Sequence, residues 1–510
     1  MPAHNQFNGN CQGALFNIPF STFSYKLEIP LMSQYYNILT DNEIQMVHEA
    51  SLEVLRTTGL RLNHPVALER LADAGADVDA AGGQVRLPVE LVEKALKKTP
   101  EKFLCAGRTP EYDVDVSSGP AAPPVVRSGG GTINHYDFFS NIFRPLTLAD
   151  CRDIATLMDA LENMDIVGCP APRDAPPETY DLHTLKVMLE AGRKHIWALP
   201  KSSGNLKYQI EMMKAVAGGG EALRQRPLCS GIVCLIEPLF FPNDEIDRLL
   251  LYGEYNLPVK VPLVPMVGAN APYTLAGALA RTHSEALGSM VLLQTLCPGI
   301  PTWYYVLLHE MEMHKGTAVY HSPEIMMINS GLLQMARLFN IPSAAVGYST
   351  TDCQAHQIMF ERGAALTMYA LSGITEIGAA GSIEGGLAIS PLALVIDNEL
   401  AAYTRRLTKG FEINRETLAV EAINRVGHKG DFMSDPHTLK FLRREKRFKP
   451  DLFDWLPFEL SNNGNNTILE RAHDKMNDIL KRDEVPPLEK PLQKELNRIL
   501  QAAEKELKEA

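Results

Sequence analysis

The sequence predicts an α/β fold: a (β/α)8 TIM barrel with an N-terminal helical region and a C-terminal helical extension. Eight short β-rich runs follow one another from about residue 125, and helical patterns of about 15 to 25 residues separate them. The runs are apolar throughout, which is typical of parallel strands buried on both faces. No GxGxxG fingerprint follows the first run, so a barrel is favoured over a doubly wound nucleotide-binding sheet.

The barrel is assigned to residues 125–456. Its predicted strands are 124–130, 164–170, 194–200, 230–238, 258–266, 302–308, 342–348 and 373–381. Helix starts are clearly signalled between them, for example by Thr147 and Asp150 at the cap of "TLADCRDIATLMDALEN". Another helix, "SPEIMMINSGLLQMARLFN", has Pro323 in its first turn, where proline is tolerated.

Residues 35–124 are predicted to form a helical region with short strands, packed on the barrel. The helix "TDNEIQMVHEASLEVLRTTG" begins with a capping box of Thr40 and Glu43 and is stopped by Gly59. Residues 1–34 are expected to be disordered or a non-native extension, because they are polar and aromatic without a period. Met32, directly before this helix, is an alternative start to Met1.

The last segment, residues 457–510, is predicted to be a linker followed by helices. "NNGNN" at 462–466 is the linker, and two charged helices follow, divided at Pro486 and Pro487. Two readings stay open: a solvated tail packed loosely on the barrel, or a contact surface for a sister subunit or partner protein.

Composition excludes several partner classes. The formal net charge of −12 argues against nucleic acid and anionic membranes, because an acidic surface gains nothing from counterion release. No apolar run is long enough for a transmembrane helix, and the eight cysteines form no CxxC pair. We therefore expect a cytoplasmic enzyme that has reduced thiols and acts on a small molecule. We also expect it to be a homo-oligomer.

The stretch "WYYVLLHEMEMHKG" resembles a zinc-protease helix at first sight. In that motif two histidines lie four residues apart on one helix face, whereas His309 and His314 are five apart. Five residues rotate a helix by about 500°, so the second ring would point about 140° away from the first. No metal site is predicted, although a metal-dependent hydrolase using His309, Glu310 and His314 stays an alternative.

A barrel of this type carries its active site at the carboxyl ends of its strands. The predicted rim consists of the residues that lie at the ends of the fourth to eighth runs. It is rich in aromatic and carboxylate side chains and contains no basic cluster. Its members include Glu237, Phe240, Phe241, Tyr273, His309, Glu310, Glu312, Tyr348, Asp352, Gln354, His356 and Glu376. Such a rim suits a cation better than a phosphate.

The chain resembles the trimethylamine methyltransferase family over roughly residues 35–455. The resemblance is carried by "VGANAPYTLAGALARTHSEALGSMVLLQTLCPGIP" (267–301), "SPEIMMINSGLLQMARLFNIP" and "RRLTKGFEINRETLAVEAINRVGHKGDFMSDPHT". One departure is "THSE" (282–285), where a small residue followed by Asn-Ala-Glu is commoner; Glu285 is kept. The resemblance implies a barrel and transfer of a methyl group from a methylated amine to the cobalt of a partner corrinoid protein.

The resemblance is to the non-pyrrolysine branch of that family. Its founding members carry pyrrolysine, whereas this sequence consists of standard residues, with "YSTTDCQAHQIMFERGAA" after the seventh predicted strand. The branch implies a quaternary amine substrate such as glycine betaine, carnitine or proline betaine. The cobalamin would be carried by the corrinoid-binding partner, and no tightly bound cofactor of the chain's own is expected.

A quaternary ammonium has no N–H to donate, so aromatic faces and a diffuse negative field must hold it. Strand alternation puts Trp303 and Tyr305 on one side and Tyr304 on the other, and one of these sides must be core. A betaine carboxylate would need donors, for which His356, Gln354 and Tyr348 are candidates. The predicted substrate-binding residues are Trp303, Tyr305, Tyr348, His356, Gln354, Asp352, Glu237, Phe241, Tyr273, His309, Glu312 and Glu376. A quaternary-amine binding protein without catalysis is the other alternative.

Overall fold

The computed structural model describes residues 35–118, 123–347, 355–428, 430–445, 447–457, 467–482 and 485–509. The expectation for residues 1–34 lies outside these ranges, as do the candidate residues Tyr348, Asp352 and Gln354. None of the helices in the described ranges is long and apolar enough to cross a membrane.

The N-terminal region contains three helices and a small sheet. The helices are α1 (Asp41–Thr57), α2 (Pro65–Asp73) and α3 (Val89–Lys98). The predicted capping box is confirmed, because Thr40 accepts from the backbone N–H of Glu43 while the Glu43 carboxylate accepts from that of Thr40. The sheet joins strands Leu60–Leu62, Gln84–Arg86 and Asp77–Asp79 to Phe240–Phe241 of the barrel domain.

Eight parallel strands close into a barrel in chain order, which confirms the predicted fold class. They are β1 (Val125–Ser128), β2 (Ile166–Gly168), β3 (His195–Trp197), β4 (Cys229–Ile232), β5 (Val259–Leu263), β6 (Thr302–Val306), β7 (Ser343–Val346) and β8 (Glu376–Ala380). Each strand overlaps one predicted run. The strands are buried on both faces, by the barrel interior and by the helical layer, which accounts for their apolar character.

The helices between the strands form the outer layer. They are α4 (Leu148–Ala160), α5 (Tyr180–Ala191), α6 (Ser203–Ala217), α7 (Gly220–Gln225), α8 (Asn243–Glu254), α9 (Leu275–Leu296), α10 (Pro323–Leu338), α11 (Ala355–Leu371) and α12 (Pro391–Thr408). Thr147 and Asp150 form the capping box of α4, as predicted. Pro323 occupies the first turn of α10, beside the cap residue Ser322.

The amino end of the barrel is closed by a hairpin of strands Lys102–Cys105 and Val114–Ser117. The ring of Phe103 packs edge-on against Trp303 of β6, with 4.6 Å between the ring centroids. Directly after the hairpin strand, the carbonyl of Ala106 accepts a hydrogen bond from His195 Nδ1 of β3 at 3.1 Å. The barrel is therefore plugged at this end, and the opposite end is its mouth.

Helix α9 is buried almost along its whole length, between the barrel and the N-terminal helices. A chain of hydrogen bonds crosses it: His48 Nδ1 lies 3.1 Å from His283 Nε2, and His283 Nδ1 lies 2.9 Å from the Tyr304 hydroxyl. Burial lowers the pKa of His283 to about 3, so the ring is neutral and links the two neighbours without charge. Tyr304 thus faces the helical layer, as strand alternation predicts for one of the two sides.

The C-terminal part contains α13 (Val420–Val426), α14 (Pro436–Arg444), α15 (Ile468–Arg482) and α16 (Lys490–Glu509). The last helix is not a loose tail. It buries Leu496, Ile499 and Ala503, and its Glu504 and Glu506 bond to His183 of α5 at 2.9 Å and to the Tyr208 hydroxyl of α6 at 2.5 Å.

One buried ion pair fixes the loop that follows β8. The guanidinium of Arg362 on α11 donates to both carboxylate oxygens of Asp397 on α12 at 2.7 Å, and both side chains are fully buried. Asp397 also accepts from the N–H of Gly381, and Arg362 donates to the carbonyl of Ser382. Two helices and the start of the loop are held through one carboxylate.

Replacing Asp397 by Ala is expected to lower the free energy of unfolding by about 3–5 kcal/mol, because Arg362 then stays buried without its counter-charge. The control is Asp451→Ala at the exposed pair with Lys475, for which a loss below about 1 kcal/mol is expected. Urea unfolding followed by circular dichroism measures both. Similar losses for the two variants would contradict the assigned role of Asp397.

Candidate functional site

The loops at the mouth of the barrel form two small sheets. After β5 and β6, strands Met266–Val267, His309–Glu312 and Thr317–Val319 pair with one another. After β1 and β8, strands Asn134–Asp137, Ile142–Pro145, Ser382–Ile383 and Ala388–Ile389 form the second sheet. The mouth therefore has a structured rim, and the candidate site lies between these sheets, above the barrel interior.

The interior below the mouth contains a triad of charged side chains. Glu376 of β8 accepts a hydrogen bond from Arg127 Nε at 2.8 Å, and its second carboxylate oxygen lies 3.0 Å from Lys260 Nζ. All three residues are at most 1% exposed. We call Arg127, Lys260 and Glu376 the floor of the site.

The floor carries a surplus positive charge. Burial opposes ionisation of Glu376, but Lys260 and Arg127 outweigh this effect and lower the pKa of the carboxyl group. Burial lowers the pKa of Lys260 to about 8, so the amine is still mostly charged at pH 7. Burial also lowers the pKa of His195, the remaining titratable residue of the eight strands besides tyrosine and cysteine, to about 4 and leaves it neutral. Two cations therefore face one anion.

Aromatic rings surround the guanidinium of the floor. Arg127 Cζ lies 3.9 Å from the centroid of the Trp197 ring, and Arg127 Nη2 donates to the Tyr305 hydroxyl at 3.1 Å. Trp197 and Tyr305 are nearly perpendicular, with centroids 6.4 Å apart. By register, Tyr305 lies beside Ala344, which in turn lies beside Glu376, so ring and carboxylate belong to one level of the barrel.

Trp303 lies deeper than Tyr305. It is the second residue of β6 and is two positions nearer the amino end, about 7 Å lower in the strand. One face of its ring is covered by Lys260 Nζ at 3.7 Å, and Phe103 of the plug packs on it. Trp303 and Tyr305 both face the barrel interior, in agreement with the predicted alternation along the strand. The cation that covers the Trp303 ring is Lys260 of the chain itself.

A second charged cluster lies beside the mouth, between the end of β5 and α9. Arg281 donates to Glu285 at 2.6 Å and to Glu237, and Glu237 accepts from the N–H of Val264 at 2.8 Å. Glu285 also accepts from the N–H of Leu239 at 3.1 Å. Two carboxylates thus share one guanidinium.

The surroundings of Glu285 keep its carboxyl group protonated. Burial and, after it, the neighbouring charge of Glu237 raise the pKa of Glu285 to about 9, against the lowering effect of Arg281. At pH 7 the carboxyl group of Glu285 is therefore protonated.

The rim hairpin after β6 carries the histidines and glutamates of "HEMEMHKG". His309 is buried and stacks on Tyr320 at 5.2 Å between ring centroids, and burial lowers its pKa. Glu312 accepts from the N–H groups of His314 and Lys315 in the hairpin turn. Within the described residues, no group of three or more His, Cys, Asp or Glu side chains is placed to hold a metal ion.

Three further predicted residues lie away from the floor. Phe241 is 1% exposed and pairs with Leu62, so its side chain is committed to packing with the N-terminal sheet. Tyr273 is 71% exposed on the outer rim, and His356 is exposed in the first turn of α11. Of the predicted set, the structure brings Tyr305 and Glu376 together in the interior and Glu237 and His309 at the rim.

Sequence reasoning missed Arg127, Lys260, Trp197 and Arg281. A signal for two of them was present, because "PVVRSGG" and "PVKVPLVPM" each carry a single cation inside an otherwise apolar strand. A charge at such a position is expensive unless it is paired inside the fold. The anionic partner, Glu376 in "GITEIGAAG", is likewise a single charge in an otherwise apolar strand. The three strand charges together predict a buried cluster.

The chain matches one family model and is similar to several methyltransferases. The family model described as trimethylamine methyltransferase (MTTB) matches residues 25–507. Trimethylamine methyltransferase MttB of Desulfitobacterium hafniense is 32% identical over 476 residues, covering 92% of this chain and 94% of its own. The glycine betaine methyltransferase of the same species, strain Y51, is 27% identical and covers 93% and 98%. The crystal structure of Methanosarcina barkeri monomethylamine methyltransferase (MtmB) aligns with TM-score 0.49 at 13% identity, covering 92% and 94%.

The raised pKa of Glu285 predicts a pH dependence of stability. The folded-state pKa of about 9 lies above the unfolded value of about 4.3, so this group's stabilisation is complete below the unfolded pKa and is lost as pH rises toward 9. Relative to Glu285→Gln, the wild-type free energy of unfolding should fall by about 1.4 kcal/mol per pH unit in this window.

Urea midpoints of both proteins at mildly acidic and mildly alkaline pH measure this difference. Glu312→Gln serves as control, because Glu312 binds only turn N–H groups at the rim and this variant should keep the wild-type slope. Parallel pH profiles for wild type and Glu285→Gln would contradict the raised pKa of Glu285.

Proposed function

Because this chain belongs to the trimethylamine methyltransferase family, we propose that it moves a methyl group from a betaine-like quaternary amine to the Co(I) of a corrinoid protein. Family membership makes the chain a methyltransferase of methylated amines. The betaine-like substrate and the corrinoid partner are the parts that are proposed. The observation that carries the substrate class is the surplus positive charge of the floor.

A betaine is a zwitterion, and the floor orients it. The excess of one cation over anions under the mouth favours a carboxylate pointing inward, because Coulomb attraction is strong in the poorly solvated interior. The ammonium group then points outward, toward the rim with Glu310 and Glu312. In this orientation the N-methyl groups face the opening.

The side chains that would hold the carboxylate and the ammonium of a betaine lie at different depths in the barrel. Tyr305, whose hydroxyl is bound to Arg127, is the proposed aromatic face nearest the floor. Glu237 and His309 are the proposed neighbours of the ammonium at the rim, and Tyr348, Asp352, Gln354 and His356 stay predicted substrate-binding residues. A quaternary ammonium offers no N–H, so aromatic contact of about 0.5–2 kcal/mol per ring is the main attraction.

The mouth also fits a partner that presents a large macrocycle. Four loops around it expose apolar side chains, namely Ile236, Tyr273, Met313 and Leu387, each at least 53% exposed. Tyr273 and Met313 are neighbours, since both approach Gly268. Exposed apolar side chains grouped around the mouth are typical of a docking surface.

The reaction asks little acid–base chemistry of this chain. The bond between nitrogen and the methyl carbon breaks, its electron pair stays on nitrogen, and the methyl carbon bonds to the Co(I) nucleophile that the partner supplies. The leaving group is a neutral tertiary amine, so no general acid is required. The residues of this chain contribute orientation and removal of water from the ammonium.

Trimethylamine is the second candidate substrate. It is favoured by the higher identity to the trimethylamine enzyme, 32% against 27% for the glycine betaine enzyme. It has no carboxylate for the floor, and the sequence has no pyrrolysine, which the founding members of the family use.

A substrate panel tests the proposed function directly. The purified protein and its corrinoid partner, reduced to Co(I), are mixed with glycine betaine, carnitine, proline betaine, choline and trimethylamine, and the Co(I) absorbance is followed. At least one betaine should remove the Co(I) band with a kcat/KM about 100-fold above that of choline, which lacks the carboxylate.

Three results of the panel would contradict the proposal. Equal rates for choline and the betaines would remove the role of the floor, and turnover of trimethylamine alone would establish the second candidate. Retention of the Co(I) band with every amine, despite binding measured by calorimetry, would make the chain a binding protein.

Tyr305 and Trp303 lie at different depths in the barrel, and a further prediction follows from this difference. Tyr305→Phe removes the hydroxyl that Arg127 contacts beside the proposed carboxylate position, so kcat/KM for the preferred betaine should fall by about tenfold. Trp303→Phe is the matched control one level deeper, and its KM should stay near the wild-type value. A larger KM increase for Trp303→Phe would restore Trp303 to the substrate site.

A further inference from the structure

Glu237, Arg281 and Glu285, which we call the rim cluster, include one carboxyl group that the proposed reaction does not use. All three side chains are poorly solvated: Glu285 is 1% exposed, Arg281 is 9% exposed, and so is the side chain of Glu237. A single nitrogen of the guanidinium, Nη2, donates to both carboxyl groups. Two acidic groups therefore depend on one cation, in a place where an unpaired charge is strongly disfavoured.

The hydrogen bonds distinguish the two carboxyl groups. Both oxygens of Glu237 accept, Oε1 from the N–H of Val264 at 2.8 Å and Oε2 from Arg281. In Glu285, Oε1 accepts from Arg281 at 2.6 Å and from the N–H of Leu239 at 3.1 Å, whereas Oε2 has no partner within the described part of the chain. A buried oxygen without a donor carries a proton more easily than a charge. The contacts thus mark Glu237 as the carboxylate and Glu285 as the acid.

The charge of the rim cluster depends on the proton of Glu285. While Glu285 holds it, the charges of Glu237 and Arg281 cancel. Without it, the cluster carries one negative charge, which repulsion between the two carboxylates and their loss of hydration disfavour. A cation placed beside Glu237 reverses this balance, because it attracts the second carboxylate strongly in a poorly solvated site. The rim cluster can therefore accept one added positive charge by losing one proton.

We propose that Glu285 keeps a proton in place of the ligand's positive charge, and that an ammonium group bound beside Glu237 displaces this proton to solvent. The inference rests on the proposed function, in which Glu237 is a neighbour of the substrate ammonium. Glu285 is then a positioning residue that acts through Glu237 and Arg281. The exchange favours cations, because a neutral molecule of the same shape has no charge with which to displace the proton.

The other charged groups around α9 have partners of their own or lie in solvent. The charged residues of α1 and α3 are exposed, and His48 of α1 bonds to His283. On the remaining elements the pairs are Arg70 with the carbonyl of Leu296, Arg248 with Asp244 and Glu245, Arg337 with the carbonyl of Ser372, His309 with the carbonyl of Leu307, and Lys260 with Glu376. Burial lowers the pKa of Lys260 to about 8, near that of Glu285, so the two residues must be separated experimentally.

Isothermal titration calorimetry of the purified full-length chain counts the protons released when a betaine binds. Glycine betaine, carnitine and proline betaine are titrated at about pH 7.5 in phosphate and in Tris, because the heats of ionisation of these buffers differ. Wild type should release about half a proton more per bound betaine than Glu285→Gln. Lys260 is present in both proteins, so any proton that it takes up beside the betaine carboxylate cancels in this difference.

The same exchange predicts how the affinity depends on pH. Because binding releases a proton, the affinity of wild type should rise by about fivefold relative to that of Glu285→Gln between about pH 6.5 and about pH 8. The gain should level off as the pH approaches the pKa of about 9 that Glu285 has in the free protein. A merely structural role of Glu285 would change the affinity equally at each pH.

Glu285→Gln keeps the size of the protonated side chain, and circular dichroism checks that the fold is retained. Glu237→Gln is the second variant. It leaves Glu285 as the single anion beside Arg281, so the free protein no longer holds the proton and its release should again be lost.

The matched control is Glu245→Gln on α8, which should keep the wild-type proton count. Glu245 is likewise a poorly exposed carboxylate, which accepts from the N–H of Cys234 at 2.8 Å and pairs with Arg248 at 3.0 Å, but it lies outside the rim cluster.

Equal proton counts for wild type and Glu285→Gln would overturn the inference, as would an equal loss in Glu245→Gln or the failure of all three betaines to bind. Consumption of Co(I) by a betaine despite equal proton counts would leave the proposed function standing without the proton exchange. The expected difference in proton count without consumption of Co(I) would support the exchange and contradict methyl transfer.

Discussion

The carboxylate of Glu376 lies between two buried cations, Arg127 and Lys260, and the barrel interior is organised around this contact. Each charge alone would cost several kcal/mol to bury, so removing Glu376 would leave two buried cations without an anion. The contact joins β1, β5 and β8, which lie far apart in sequence. In the closed barrel all three charges meet, so each of them is paired, while the cost of burying them limits their net contribution to stability.

The same contact lies between the closed amino end of the barrel and its open mouth. Below it, Trp303, Phe103 and the plug hairpin exclude water from the amino end. At the level of the contact, Tyr305 and Trp197 enclose the guanidinium of Arg127, and the mouth with its rim sheets lies above them. Charge, aromatic surface and access are thus ordered along one axis. The proposed preference for a small zwitterion over a neutral amine rests on that order, because only the zwitterion has an anionic end for the interior and a cationic end for the rim.

The elements of this fold could be predicted from sequence because their signals are local. Eight apolar runs marked the strands, and the caps at Thr40 and Thr147 marked two helix starts. The site was harder, because its contacts depend on register. Trp303 and Tyr305 follow the same alternation and differ only in depth, which depends on where β6 begins. The partner of Arg127 is 249 residues away, so the sequence shows a charge in a strand but not what neutralises it.

The direction of the chain separates the two ends of the barrel. Strands end at the mouth, whereas α12 returns to the opposite end, where Leu407 lies beside Val125 and Thr375. The corrinoid partner of the proposed function would dock at the mouth, on the exposed side chains of Ile236, Tyr273, Met313 and Leu387. The loops that leave the strands therefore supply the surface for chemistry, because they alone surround the open end of the barrel.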